Sequence, residues 1–147
     1  MDRKYLTIFS TALIIIIIDQ VAKFLIKTNF QLNQTLPIIS NIFHLTYIHN
    51  FGAGFGILQH QKYFLIFISI IVIGFIFYYL DRIRNNERLL QMLVGFVLGG
   101  TIGNLTDRII NGYVIDFLDF RIWPIFNFAD SFVTVGVIRL IVYFWKK

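Results

Sequence analysis

Four long apolar stretches dominate the pattern of hydrophobic and polar positions along this chain of 147 residues. They cover residues 6–26, 63–80, 89–105 and 128–145. Each approaches the ~20 residues that an α-helix needs to cross the hydrocarbon layer of a membrane. We therefore predict an α-helical membrane protein with four transmembrane helices. Since little chain is left outside these spans, residues 1–147 are interpreted as a single domain.

Two connections between the spans contain strand patterns. In NIFHLTYIHN (41–50), apolar and more polar side chains alternate, which is typical of a half-buried strand. The segment YVIDFLDF (113–120) follows the turn signal of Asn111 and Gly112 and is rich in β-branched and aromatic residues. We predict a small extracytoplasmic β-sheet with loop elaboration.

Composition and charge agree with a membrane location and orient the chain. Of its residues, 57% are hydrophobic and 14% are charged, and the mean hydropathy is +0.73. Basic residues fall at both termini and in the loop 81–88, which lie on one side of a four-span protein, and positive-inside bias places that side in the cytoplasm. The net charge of +5 arises mostly at this edge, where membrane lipid headgroups attract it, so no nucleic acid is needed to explain it. These basic residues are Arg3, Lys4, Arg82, Arg84, Arg88, Lys146 and Lys147.

Several polar side chains interrupt the apolar stretches. Asp19 and Lys23 are four residues apart on the first predicted helix, so they share a face and can pair. Asn104, Asp107 and Arg108 share a face at the end of the third helix. Such groups are often structural anchors, and that interpretation stays open for both sets. Glycines at four-residue intervals predict close packing of the third helix against a neighbour: Gly95, Gly99 and Gly103.

Carboxylates are the candidate reactive groups. A carboxylate at membrane depth usually faces a cavity or a partner. Five of the eight acidic residues lie in or beside the outer half of the spans: Asp19, Asp107, Asp116, Asp119 and Asp130. Neither a metal nor a cofactor is predicted, because the chain has no HExxH motif or phosphate loop and its histidines lack metal-site spacing. Ser131 has no obvious base beside it and is predicted to cap a helix. What remains is a pair of carboxylates that can share a proton and activate a water when the fold brings them close.

Two other classes of function are left open by these residues. In a proton- or ion-coupled membrane transporter, Asp19, Asp107 and Asp130 would form a relay. Such a relay predicts acids spread through the depth of the bilayer, whereas these acids cluster at one face. In a non-enzymatic assembly subunit, the polar groups would serve helix association only.

Five motifs occur in order along the chain: DQVAK (19–23), NFGAGFG (50–56), GGTIGNLTDR (99–108), VIDF (114–117) and FNFAD (126–130). Together they span nearly the whole chain and resemble lipoprotein signal peptidase, also called signal peptidase II, a family of bacterial membrane aspartic peptidases. The resemblance implies an aspartic endopeptidase that removes the signal peptide from prolipoproteins, cutting before a diacylglyceryl-modified cysteine.

The same resemblance implies roles for individual residues. Asp116 and Asp130 match the two catalytic aspartates, which hold the attacking water between them. Asp119, three residues from Asp116, is the competing acid and is assigned a structural or solvated role. Other matching positions support this pair. They are Asn104 and Arg108, which orient the substrate backbone; Asn127, beside the aspartates; Asn50 and Gly52, in the outer sheet; and Asp19, Lys23 and Asp107, in the helices.

Partners and location also follow from the resemblance. The substrate is a diacylglyceryl-modified prolipoprotein in membrane lipid, and a cyclic peptide of the globomycin type is the expected inhibitor. The expected location is the bacterial cytoplasmic membrane, with the active site near the extracytoplasmic face, and we predict a monomer. The chain departs from the family's pattern at His49, Gly54 and Thr106, where Arg, Ala and an aliphatic residue are expected.

Overall fold

The computed structural model describes residues 2–54 and 57–146. Within them, the chain forms four long helices and a small antiparallel sheet. Each of these four helices is long and apolar enough to cross a membrane, which confirms the predicted fold class. In chain order the elements are α1 (Arg3–Asn29), β1 (Thr35–Ile39), β2 (Phe43–Asn50), α2 (Lys62–Tyr79), α3 (Arg88–Ile110), β3 (Val114–Asp119) and α4 (Phe128–Trp145).

The sheet has the strand order β1-β2-β3. The sequence patterns predicted β2 and β3, whose register pairs Ile48 with Asp116. They did not predict β1, which is exposed at every residue. Pro37 is tolerated in β1 because this strand lies at the sheet edge, where a missing N–H costs no ladder bond. The chain enters β3 through a turn at Gly112, whose φ of +86° favours glycine, as the turn signal predicted.

α3 is the central helix of the bundle. Its most apolar window is 56% buried, against 28% for α1, 22% for α2 and 11% for α4. Glycines allow α1 and α4 to come close to it. A Cβ on Gly99 would lie 2.7 Å from the carbonyl oxygen of Ala12 on α1, and one on Gly100 would lie 2.5 Å from that of Ala129 on α4. The predicted glycine face therefore packs against α1, and Gly100 adds a second close approach, to α4.

Two apolar clusters hold the helices and the sheet together. The larger cluster includes Ile8 of α1 and Leu98 of α3. The smaller one joins Ile26 of α1 to Tyr47 of β2 and Phe117 of β3, beneath the sheet. Many large apolar side chains on the outer helix faces are exposed, as expected for surfaces that contact lipid. Along α1, the polar residues that reach the candidate site come between these two clusters.

Candidate active site

Asp116 and Asp130 line one cavity at the junction of the sheet and the helices. Asp116 is fully buried on β3, and Asp130 lies in the first turn of α4. The cavity has a volume of about 520 Å³. The fold thus brings together two acids that the sequence singled out, although 14 residues separate them in the chain. Its walls also include aromatic and aliphatic side chains that the sequence analysis did not assign to the site: Trp123, Ile125, Phe126, Val133 and Val135.

Two side-chain amides hold the Asp116 carboxylate. Nδ2 of Asn127 donates to its Oδ1 at 2.7 Å, and Nδ2 of Asn50 donates to its Oδ2 at 2.9 Å. Burial raises the pKa of Asp116 to about 7, and the nearby Asp130 carboxylate adds to the rise, whereas the two amides oppose it. Asp116 can therefore gain or lose a proton near neutral pH.

Asp130 belongs to the N-terminal cap of α4. Its backbone N–H donates to Oδ1 of Asn127 at 2.8 Å, and its Oδ2 accepts the N–H of Asn127 at 3.3 Å, which forms a capping box. Its Oδ1 accepts from Nδ2 of Asn104 at 2.7 Å. The predicted capping role of Ser131 is wrong: Asn127 is the N-cap. Because α4 begins at Phe128, Ser131 is already inside the helix, and its hydroxyl donates to the Asn127 carbonyl at 2.9 Å.

A second cluster of buried charges lies behind this pair. Nζ of Lys23 is 2.8 Å from Oδ2 of Asp19 and 2.9 Å from Oδ2 of Asp107, and none of the three side chains is more than 2% exposed. The predicted pair of Asp19 and Lys23 is present, and Asp107 joins it. Gln20 also donates to Asp107, at 3.0 Å. Gln20 was not predicted as a site residue, and its position beside Asp19 was the available signal.

Arg108 reaches the cavity through a loop. Its guanidinium donates to the Gly52 carbonyl at 3.0 Å, and the Gly52 N–H donates to Oδ1 of Asn50 at 2.9 Å. Because that oxygen is already an acceptor, the Asn50 amide presents its NH₂ to Asp116. A Cβ at Gly52 would lie 2.5 Å from the carbonyl oxygen of Ile57, so the loop requires glycine there.

Asp119 lies on the same strand as Asp116 but belongs to a different cluster. Its Oδ2 accepts from the Thr46 hydroxyl at 2.7 Å and from the Arg121 guanidinium at 2.9 Å. Burial alone would raise the pKa of Asp119, but these donors outweigh burial and bring its pKa below the ordinary value. Asp119 is therefore an ionised acid that ties β2 to the loop after β3, in agreement with a structural role.

The three departures from the family's pattern are accommodated locally. The ring of His49 stacks on that of Tyr113, with centroids 3.6 Å apart. The Thr106 hydroxyl donates to the Ile102 carbonyl one turn back, at 2.8 Å. A Cβ at Gly54 would have nothing within 4 Å, so alanine would fit there as well. Two further residues of this motif, Phe55 and Gly56, lie outside the described residues.

The cavity therefore contains two carboxyl groups that are held by neutral amides. Two carboxylates that share a site cannot both ionise cheaply, so the pair gives up its last proton at a higher pH than a lone carboxylate does. One can then accept a proton from a water while the other donates one, which is the arrangement needed to add water to a peptide bond. Within the described residues, the Lys23 ammonium forms its ion pairs with the acids behind the cavity and not with this pair.

Comparisons with known proteins agree with this chemistry. The family model for signal peptidase (SPase) II matches residues 11–146. The lipoprotein signal peptidase of Halothermothrix orenii is 44% identical over 140 residues, which cover 95% of this chain and 96% of the relative. That of Moorella thermoacetica is 45% identical over 129 residues, which cover 88% of this chain and 86% of the relative.

Solved structures share the architecture. A bacterial membrane enzyme solved by the in meso method at 2.3 Å resolution superposes with a TM-score of 0.90 at 33% identity, covering 95% of this chain and 88% of that one. A second, at 1.9 Å resolution, gives a TM-score of 0.86 at 33% identity and covers 96% and 94%. These matches support the peptidase interpretation and give no support to a transporter. The resemblance seen in the five sequence motifs is confirmed, and the chain belongs to the signal peptidase II family.

Proposed function

We propose that this membrane peptidase removes the signal peptide from prolipoproteins with Asp116 and Asp130 as its catalytic residues. The observation that carries the proposal is that both carboxyl groups line one cavity and are held there by amides. A pair of this kind retains one proton near neutral pH, which an aspartic peptidase needs in order to act as acid and base in one step.

In the proposed reaction, a water between the two carboxyl groups attacks the carbonyl carbon of the scissile bond. The ionised carboxylate takes a proton from that water, and its protonated partner gives a proton to the carbonyl oxygen. When the C–N bond breaks, the departing nitrogen takes a proton from the pair, and the new carboxyl group returns one. Asn50, Asn104 and Asn127 keep the two aspartates oriented while the shared proton moves between them.

The loop that Arg108 holds is assigned to the substrate backbone. Asn50, at the end of β2, borders the cavity, and Arg108 fixes the neighbouring Gly52 carbonyl. An extended peptide laid along this edge would place its scissile bond over the carboxyl groups. Orientation of this kind is what turns a bimolecular attack into an effectively unimolecular one.

The substrate is proposed to carry diacylglyceryl on the cysteine that follows the scissile bond. Apolar side chains wall the cavity beside α4, including Trp123, Phe126 and Val133. Each methylene buried in lipid contributes ~0.8 kcal/mol, so an acyl anchor holds the peptide at the depth of the carboxyl groups. The same cavity is assigned to an inhibitor of the globomycin type, and a monomer surrounded by membrane lipid is taken as the working form.

Both termini and the loop 81–88 are assigned to the cytoplasm, and the cavity to the extracytoplasmic face. Positive-inside bias supports this orientation. Nζ of Lys4 donates to the Asp81 carbonyl at 3.1 Å, so the start of α1 and the end of α2 share one edge. Cysteines introduced singly into this cysteine-free chain test the assignment: in intact cells a membrane-impermeant label should reach Gln59→Cys and Asn111→Cys but not Arg84→Cys. Labelling at position 84 from outside the cell would contradict the assigned orientation.

Replacing either catalytic carboxylate by its amide tests the catalytic assignment. Asp116→Asn and Asp130→Asn keep their size but cannot cycle a proton, so cleavage of a lipidated prolipoprotein by purified enzyme should fall by at least ~10³-fold. Asp119→Asn is the matched control, since it makes the same change on the same strand but outside the cavity, and it should keep most of its activity. An active Asp116→Asn beside an inactive Asp119→Asn would reject the assignment.

A paired assay tests the substrate. The same prolipoprotein with and without diacylglyceryl is offered to purified enzyme in bilayers, and only the lipidated form should turn over at an appreciable rate. Comparable rates for the two forms would reject the role of the lipid anchor and leave the catalytic pair standing.

A further inference from the structure

Two buried acids behind the cavity each hold the backbone next to one catalytic aspartate. Oδ1 of Asp19 accepts the N–H of Ala129 at 2.9 Å, and Oδ2 of Asp107 accepts the N–H of Ile115 at 3.1 Å. Ala129 immediately precedes Asp130, and Ile115 immediately precedes Asp116. The two contacts are equivalent, although they reach different elements, α4 and β3.

Lys23 joins these two contacts. Its ammonium is within 2.9 Å of a carboxylate oxygen of both Asp19 and Asp107, and it also donates to Oδ1 of Asn104 at 3.0 Å. An ammonium can only donate, so the Asn104 amide must turn its oxygen to Lys23 and its NH₂ to Asp130. Lys23 thereby fixes both backbone contacts and the direction of one amide that the catalytic pair uses.

We infer that Lys23 is a positioning residue for the catalytic pair, acting through the two acids and the asparagine that it bonds. The inference rests on the proposed roles of Asp116 and Asp130. It goes beyond a helix anchor, because an anchor between α1 and α3 needs no contact with the residue before each aspartate. We call Lys23, Asp19 and Asp107 the buried brace.

The charges around the brace give it a measurable signature. Lys23 faces Asp19 on its own helix, Asp107 on α3, and the electrostatic fields of Asp116 on β3 and Asp130 on α4. Arg108 is a second cation that acts on this pair. Burial raises the pKa of Asp116, and the positive charge of Lys23 opposes that rise. Removing Lys23 should therefore move the pH profile of the reaction, which a purely structural anchor would not do.

The deciding variant is the double substitution Lys23→Met with Asp107→Asn. It removes one charge of each sign, so the brace keeps its net charge, and the amide oxygen of the new asparagine can still accept the Ile115 N–H. Lys27→Met is the matched control. Lys27 lies one turn further along α1 and also donates to an asparagine at α3, Asn111, at 3.0 Å, but it is exposed.

In the double variant, kcat should fall ~100-fold with KM nearly unchanged, because the aspartates lose their alignment and not their substrate contacts. The pH–rate profile of the double variant should stay in place because its net charge is kept, whereas Lys23→Met alone should move both limbs to higher pH by about half a unit. Lys27→Met should match the wild type in rate and profile. A folded double variant with wild-type kcat, or a folded Lys23→Met with an unmoved profile, would overturn the inference.

Hydrogen exchange supplies a second measurement, on the milder Asp107→Asn. If the brace links the two contacts, the amide of Ala129 should exchange at least ~10-fold faster in this variant, although Ala129 touches Asp19 and not the substituted residue. An unchanged Ala129 rate would overturn the link even if the double variant does not fold. Full activity in Asp116→Asn or Asp130→Asn would instead reject the catalytic pair and leave the exchange result intact.

Discussion

Two pairs of carboxylates lie side by side in this protein, three of them buried and Asp130 half-buried, and their surroundings differ. Asp19 and Asp107, the compensated pair, each contact the Lys23 ammonium and a backbone N–H. Asp116 and Asp130, the open pair, are held by side-chain amides at the edge of a cavity. All four belong to one residue type in one small region, so the difference lies in what each carboxylate faces.

The comparison shows how a membrane protein divides one kind of side chain between structure and chemistry. A buried carboxylate with a cation and a full set of donors has a fixed charge and holds its neighbours in place. A buried carboxylate beside another carboxylate has a charge that changes, because the pair retains a proton that can move. The first pair can therefore hold the backbone beside the second pair while the second carries out the proposed chemistry.

Breaking the compensated pair should produce the largest change in stability. Asp19→Ala leaves the Ala129 N–H without its acceptor and removes one of two carboxylates at Lys23, so the free energy of unfolding should fall by about 3–5 kcal/mol. Asp116→Ala removes a carboxylate that no ion pair neutralises and should cost far less at about pH 8. Thermal unfolding of both variants in detergent measures the two losses of stability. Equal losses would erase the distinction between the two pairs.

The pH dependence of the free energy of unfolding should reveal the open pair in the wild-type protein. The folded pKa of Asp116, about 7, lies above its ordinary value of 3.8, so the folded state binds this proton more tightly than the unfolded state does. The resulting stability is fully present below about pH 4 and is lost as the pH rises through about 7, by at most ~4 kcal/mol. Asp116→Asn should flatten this slope. The free energy of unfolding at about pH 5 and about pH 8 measures this loss of stability. An equal loss in Asp116→Asn would assign the pH dependence to other groups.

A methyl group at the helix contact should disturb the compensated pair to a smaller extent. A Cβ at Gly103 would lie 2.7 Å from Oδ2 of Asp19, so Gly103→Ala should lower the free energy of unfolding by about 1–3 kcal/mol. Gly74→Ala is the matched control, because a Cβ at Gly74 on α2 has nothing within 4 Å. Similar losses in the two variants would point to helix backbone effects rather than to contact with the acid.

The smallest change is expected where a carboxylate lies outside both pairs. Thr46→Val removes the hydroxyl that donates to Asp119 at 2.7 Å, and it should cost about 1 kcal/mol of stability. Cleavage activity should stay within about twofold of the wild type, because Asp119 does not line the cavity. A larger loss of activity would mean that the sheet transmits the disturbance to Asp116.

Much of the fold follows from the sequence because membrane spans are long and continuous. Apolar runs of the right length predicted all four helices, and the alternating pattern predicted β2. β1 escaped because its five residues are exposed and carry Pro37, so neither burial nor alternation marked it. The N-cap of α4 was placed at Ser131 instead of Asn127, since both residue types cap helices and only the backbone geometry separates them.

The site could be predicted in part. The carboxylates of Asp116 and Asp130 were singled out from their motifs, and the pair of Asp19 and Lys23 from its helical spacing. The contact of Asp19 with the backbone of Ala129 spans 110 positions, and no periodic pattern encodes it. Every residue except proline has the same backbone N–H donor, so the sequence does not mark which one a side chain will contact. A contact of this kind becomes visible only when the chain is folded.

The close contacts of α3 have an electrical consequence. An energised membrane drives protons across it, and an acid pair that exchanges protons with water at one face would short-circuit that gradient if water continued between the helices. Gly99 and Gly100 bring α1 and α4 against α3 so closely that a Cβ could not be inserted. The apolar cluster at Ile8 and Leu98 continues this barrier along the bundle. Close packing at these glycines leaves no room there for a file of water, so the proposed catalytic pair could exchange protons at one face while the membrane keeps its potential.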